Sequence, residues 1–133
     1  MPDIIDKLAL VAIRDRRILC ARTRGRTAWY LPGGKRKPGE TDHQALARET
    51  HEELGVELLL PTLMSYQVFE AQAHGQPEGT MVRLTCYTGR YKGTPEPHGE
   101  VEELRWLRHS DKHLTTAASK ELFDDLLLHH LID

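Results

Sequence analysis

Cysteine is scarce: Cys20 and Cys86 are the only two in 133 residues, far apart and each within a stretch that reads as a strand. A disulfide framework and a thiolate zinc site are excluded as organising principles, and a reducing, cytoplasmic setting is expected. Long apolar runs are missing too. The longest near the start, Leu8 to Ile13, is far short of the ~20 residues that cross a bilayer and shorter than a signal-peptide core, so no membrane or targeting segment is expected. Aromatics make up only 6% of the chain, and no repeat, low-complexity stretch or linker interrupts it. With 39% apolar and 29% charged residues, the composition predicts one domain over residues 1–133, large enough to bury its own core.

The net charge of −2 conceals two opposed blocks. Nine basic residues (Arg14, Arg16, Arg17, Arg22, Arg24, Arg26, Lys35, Arg36, Lys37) face Asp15 alone between positions 14 and 37, a local +8. Six acidic residues (Glu40, Asp42, Glu49, Glu52, Glu53, Glu57) then face Arg48 between positions 40 and 60, a local −5. This juxtaposition suits a site where acids hold a cation and bases meet phosphate, better than a uniformly basic nucleic-acid surface. Alternating solvated faces of an ordinary domain remain the competing reading on charge alone.

Leu8 to Ile13 is apolar at both parities, which predicts a strand covered on both faces and hence helices on both sides of a sheet. A polar break at Asp15-Arg16-Arg17 makes a hairpin with Ile18 to Arg22. A short segment, Ala28 to Leu31, runs into Pro32-Gly33-Gly34, where glycine permits a sharp turn and close approach to a ligand. From Thr41 or Asp42 to Leu54 the pattern predicts a helix, with Thr41 as N-cap, Gly55 as the stop and Leu46, Ala47, Thr50 and Leu54 as its core stripe. Leu63 to Ala71 and Met81 to Tyr91 read as two longer strands, and Glu103 to Leu107 as a short one. Arg83, Thr85 and Tyr87 share a strand face expected to look into a polar cleft. Ala117 to Leu131 reads as a closing helix with Ala118, Leu122, Phe123, Leu126, Leu127 and Leu131 on its core side. Together these elements predict an α/β/α sandwich with a mixed central sheet.

Glu49, Glu52 and Glu53 fall at i, i+3 and i+4 on one flank of the first helix, where each raises the others' pKa. A divalent cation removes that penalty, and all-oxygen ligands suit magnesium or manganese, ions that bridge to phosphates. With the basic block and glycine turn just before the helix, the residues point to metal-assisted displacement at phosphorus. Taken singly, each glutamate reads equally as part of a solvated helix face. Trp29 and Tyr30 are open between base stacking and core, and the eight histidines read as surface residues.

Residues Gly34 to Val56, GKRKPGETDHQALARETHEELGV, resemble the Nudix box. Eight of its nine specified positions match (Gly34, Glu40, Arg48, Glu49, Glu52, Glu53, Gly55, Val56), and Thr50 stands where an aliphatic residue is usual. The resemblance implies the Nudix fold and hydrolysis of a nucleoside diphosphate linked to another group, in the MutT-like case a nucleoside triphosphate, with Mg2+ or Mn2+ as cofactor. It implies Glu52 and Glu53 as central metal ligands, the Gly33 carbonyl as another, and Glu49 as ligand or general base. It also implies Arg48 as the group orienting Glu49, Glu40 as a tie between loop and helix, and Glu100 as an added ligand for which Glu102 and Glu103 compete. Arg22, Arg24, Arg26, Lys35 and Arg36 are expected phosphate contacts, and Arg83, Tyr87 and the 109–116 region are expected around base and sugar. Nucleotide sugars, ADP-ribose and dinucleoside polyphosphates are alternative substrates. A non-catalytic nucleotide sensor is the rival from another class. The expected partner is a small nucleotide, with no nucleic-acid polymer and no membrane; a homodimer is left open.

Overall fold

The computed structural model describes residues 3–133. In chain order the elements are β1 (Ile4–Val11), β2 (Ile13–Arg14), β3 (Arg17–Thr23), β4 (Gly33–Gly34), α1 (Asp42–Leu54), β5 (Glu57–Leu58), β6 (Met64–Gln72), β7 (Met81–Thr88), β8 (Tyr91–Lys92), β9 (Val101–Leu107) and α2 (Ala117–Leu128). Short 3-10 turns cover Leu60–Thr62 and His109–Leu114. A mixed sheet runs β4-β1-β7-β6, in which β1 and β7 are parallel, and an antiparallel sheet runs β2-β3-β9.

Strand β1 shows why the architecture is a sandwich. Its residues alternate between two cores: Leu8 and Leu10, with Ala12 just beyond, join Leu46 and Leu54 of α1, whereas Ala9 and Val11 join Leu122, Phe123 and Leu126 of α2. Burying each such Leu or Phe stabilises the fold by ~1.5–3 kcal/mol, so both helices are held to the same strand. The expected α/β/α sandwich is therefore the observed one. The predicted first hairpin is rearranged. The first strand ends at Val11, and after Ala12 the chain passes to the second sheet, where β2 pairs with β3. Asp15 and Arg16 form the turn at φ 52° and 60°, the positive pair that a two-residue type I′ hairpin requires.

Helix α1 has the predicted bounds. Thr41 accepts from the Gln44 N–H at 3.1 Å while the Gln44 side chain accepts from the Thr41 N–H at 3.0 Å, a complete capping box. Gly55 stops the helix at φ 70° and returns its N–H to the His51 carbonyl at 3.0 Å. Thr50 lies on the core stripe, its hydroxyl satisfied by the Leu46 carbonyl at 2.8 Å, so the polar residue costs little there. Ala45 joins the stripe, and Ala47 is only partly buried.

Helix α2 ends at Leu128, three residues before the predicted Leu131. His130 takes a left-handed φ of 58°, with Leu131 N–H on the Leu126 carbonyl and His130 N–H on the Leu127 carbonyl, a Schellman turn. The turn leaves Leu127 and Leu131, expected in the core, each 40% exposed, and buries Ile132 instead. The face of β7 carrying Arg83 and Tyr87 is likewise not a polar cleft. Tyr87 is buried over α1 and donates to Asp42 at 2.6 Å, and Arg83 pairs with Glu70 of β6 at 2.7 Å.

Candidate active site

Two cavities adjoin where β4, α1, the 73–80 turn and the start of α2 meet. An open cleft of ≈1090 Å³ is lined by Glu49, Glu52, Glu53, Glu100, Thr23 and the 25–28 segment with Arg26. A smaller cavity of ≈200 Å³ is lined mostly by apolar side chains, among them Ile5, Leu8, Leu31, Val82, Leu84 and Ala118, with Ser119 at its edge. Lys7, Tyr30, Gly33, His74, Gln76 and Thr116 line both.

The carboxylates are set by α1 and held by one guanidinium. Arg48 forks onto Glu40 at 2.7 and 2.9 Å, donates to Glu49 at 2.8 Å and to the Lys35 carbonyl at 3.1 Å, and reaches Glu52 at 3.5 Å. A planar fork serves these acceptors in fixed directions, which a lysine ammonium does not. The Arg48 hydrogen bonds hold the Glu40 carboxyl down at about 2, helped by the Lys37 N–H, so Glu40 stays ionised and ties the basic loop to the helix. Glu53 behaves oppositely. Burial pushes it up to about 8, the Gly33 N–H at 3.1 Å pulls it back in part, and the charges of Glu49 and Glu52 raise it further. Lys7 sits close enough to Glu53 and Glu49 to feel both, yet burial first and Lys35 second hold its ammonium below the ordinary value.

Gly33 is required for packing, and Gly34 leaves room for a carboxylate. A Cβ on Gly33, at φ 143°, would lie 2.0 Å from the Leu8 carbonyl oxygen, so only glycine lets β4 pair with β1. A Cβ on Gly34 would lie 2.7 Å from the Glu49 carboxyl carbon, so the missing side chain is the space that this carboxylate occupies. These glycines thus approach β1 and Glu49 closely, and Gly33 also lines both cavities.

The donor set suits a hard divalent cation. Three carboxylates share one flank, and the most buried of them carries an ionisation penalty that a positive charge would relieve. Among the described residues no three acidic, His or Cys side chains already converge as a chelate; Arg48 holds Glu49 and Glu52, and the Gly33 N–H holds Glu53.

Of the charged residues singled out from sequence outside the α1 glutamates, Arg26 and Glu100 line the cleft and Arg22, Arg24, Lys35, Arg36, Arg83, Glu102 and Glu103 do not. Arg22 is drawn to Glu102 and Glu103 of β9, and Arg24 gives its backbone N–H to the Glu100 carbonyl. Lys35 contributes a carbonyl to Arg48, Arg36 bridges Asp6 and Asp42, and Arg83 is held by Glu70. Glu102 is the extra residue where the β3–β9 register shifts between Arg22 and Thr23, which separates it from Glu100. Trp29 is core, with Arg22 and Arg105 over its ring, whereas Tyr30 lines both cavities and accepts from the Thr23 hydroxyl at 2.9 Å. Thr116, at the end of the expected 109–116 region, lines both cavities, whereas the sequence does not single out Lys7, His74, Gln76 and Ser119 for the site. Lys7 carried a signal nonetheless, being a lysine in phase with the buried Ala9 and Val11.

The family model for the NUDIX domain matches residues 6–126. The CTP pyrophosphohydrolase of Escherichia coli (strain K12) is 40% identical over 108 residues, covering 77% of this chain and 75% of that protein. The human 8-oxo-dGDP phosphatase NUDT18 is 45% identical over 47 residues, which cover 35% of this chain and 15% of that longer protein. Among solved structures, the MutT NUDIX hydrolase from Burkholderia pseudomallei superposes with a TM-score of 0.74 at 25% identity, over 92% of this chain and 97% of that one. With the fold and the carboxylate-lined cleft described above, the chain belongs to the NUDIX family of hydrolases. Members of this family generally use divalent metal ions and act on small nucleotide substrates.

Proposed function

We propose that this protein is a magnesium-dependent pyrophosphohydrolase of the MutT-like kind, cleaving a nucleoside triphosphate to a monophosphate and pyrophosphate. The observation that carries the reading is the adjacency of a three-carboxylate cleft to a small apolar cavity. The cavity takes the base, and the cleft takes the phosphates. Glu49, Glu52 and Glu53 hold magnesium, or manganese in its place, with the Gly33 carbonyl and Glu100 as further oxygens. The cation supplies charge neutralisation on the diphosphate. Arg48 fixes the direction of the Glu49 carboxylate, which accepts the proton of the attacking water, and Arg26 meets the outer phosphates.

A small nucleotide suits this chain better than a nucleic-acid polymer, because Arg16, Arg22, Arg36 and Arg83 are already engaged by carboxylates. The two relatives are named for CTP and for 8-oxo-dGDP, bases of different ring size, so the lining of the apolar cavity decides the substrate. No helix among the described residues is long and apolar enough to cross a membrane. Two buried thiols, both raised by desolvation, accord with a reducing cytoplasm. The test is a panel of nucleoside triphosphates and diphosphate-linked nucleosides incubated with magnesium, with products identified. Pyrophosphate with the matching monophosphate is expected. Nucleotide binding without any product would replace the enzyme with a sensor.

A further inference from the structure

We propose that Lys7 binds the phosphate joined to the sugar, at the seam between the base cavity and the carboxylate cleft. The inference rests on the functional reading above and adds a residue that neither the box nor the basic block contains. Six residues line both cavities, and Lys7 is the one side chain among them that carries a full positive charge when histidine is neutral. A nucleotide with its base in the smaller cavity and its diphosphate at the glutamates must pass its first phosphate across this seam.

Two of the other cations near the site are engaged by carboxylates. Arg48 is saturated by Glu40, Glu49, Glu52 and the Lys35 carbonyl, and Arg36 by Asp6 and Asp42. Arg26 lines the cleft but not the apolar cavity. Among the described residues Lys7 has no carboxylate within 4.0 Å, although Glu49 and Glu53 share its cleft. Its Cβ leaves β1 in phase with Ala9 and Val11, toward the α2 side of the sheet, and the side chain is exposed where it lines both cavities. A cation kept without a partner in a partly apolar site gains most from an anionic ligand, and a charge-assisted hydrogen bond to phosphate is the strong kind.

The test uses the full chain with Lys7→Met and Lys7→Arg. Steady-state hydrolysis, with magnesium, of whichever nucleotide the wild type turns over should show KM raised about tenfold or more in K7M, kcat within about threefold, and KM largely restored in K7R. An unchanged KM in K7M, or a fall in kcat at constant KM, overturns the assignment. Direct titration of inorganic pyrophosphate with magnesium gives a readout independent of turnover: about tenfold weaker binding in K7M is expected, and equal binding overturns the role. Should the wild type turn over nothing, the functional reading falls, and the pyrophosphate titration still decides Lys7.

Discussion

Replacing Glu53 with Gln should make the metal-free protein more stable at alkaline pH while abolishing its catalysis. Burial and the neighbouring carboxylates raise Glu53 from 4.5 to about 8 in the folded protein. A raised carboxyl contributes stability that is fully present below its unfolded value and is lost as pH climbs through its folded value. At about 1.4 kcal/mol per pH unit, the loss between pH 4.5 and pH 8 approaches ~5 kcal/mol as a ceiling. Glutamine keeps the shape and an oxygen acceptor for the Gly33 N–H but never ionises. Urea unfolding of wild type and E53Q at pH 5 and pH 8, in EDTA and in magnesium, measures the difference. We expect E53Q to be the more stable in EDTA at pH 8 by roughly 2–4 kcal/mol, with the gap shrinking toward pH 5. Magnesium should stabilise wild type far more than the variant. Comparing the two proteins at each pH cancels the titration of the histidines. An E53Q protein less stable than wild type at pH 8 in EDTA would refute the account of Glu53 as a strained, buried acid, and retained turnover would refute its place in the site.

Gly34→Ala should lower kcat on the order of 10- to 100-fold, because the new Cβ occupies the Glu49 carboxylate's position, with far-UV circular dichroism unchanged. Arg48→Lys should cost a similar factor, since an ammonium cannot serve Glu40 and Glu49 as a fork does; steady-state rates equal to wild type would contradict this. Val82→Trp should fill the apolar cavity and raise KM for nucleotides by about tenfold while leaving pyrophosphate binding unchanged in a calorimetric titration. Arg83→Ala should change KM less than about twofold, because that side chain is held by Glu70 away from both cavities.

Local signals were the legible ones. The cap at Thr41, the stop at Gly55 and the 3.6-residue phase of α1 depend on neighbours in the chain, and they place the three glutamates on one flank without any tertiary knowledge. The two-faced apolar run at Leu8 likewise announces a strand between two layers. What stayed hidden depends on register and on distant pairing. Whether Glu100 or Glu102 reaches the cleft turns on a one-residue shift between β3 and β9, and whether Arg22 meets substrate turns on Glu103 lying opposite it. His74 and Gln76 enter the site because the 73–80 turn overhangs it, and Ser119 because α2 begins there. Nothing in the immediate sequence of those residues encodes such proximity. The end of α2 was overrun for a related reason: apolar phase continues through Leu131, while the His130 turn gives up two leucines to bury Ile132.

The sharing of β1 by two cores bears on how such a protein is retargeted. From Leu8 to Ala12 the strand has no solvent face, and Gly33-Gly34 is hydrogen-bonded along it, so a slip of one residue would exchange the contents of both interiors and carry the glycine pair with it. Drift in this backbone is therefore the least tolerable route to a new substrate. The segments 25–28 and 73–80 border the cavities from outside the shared strand, and variants selected for altered nucleotide preference should accumulate there first.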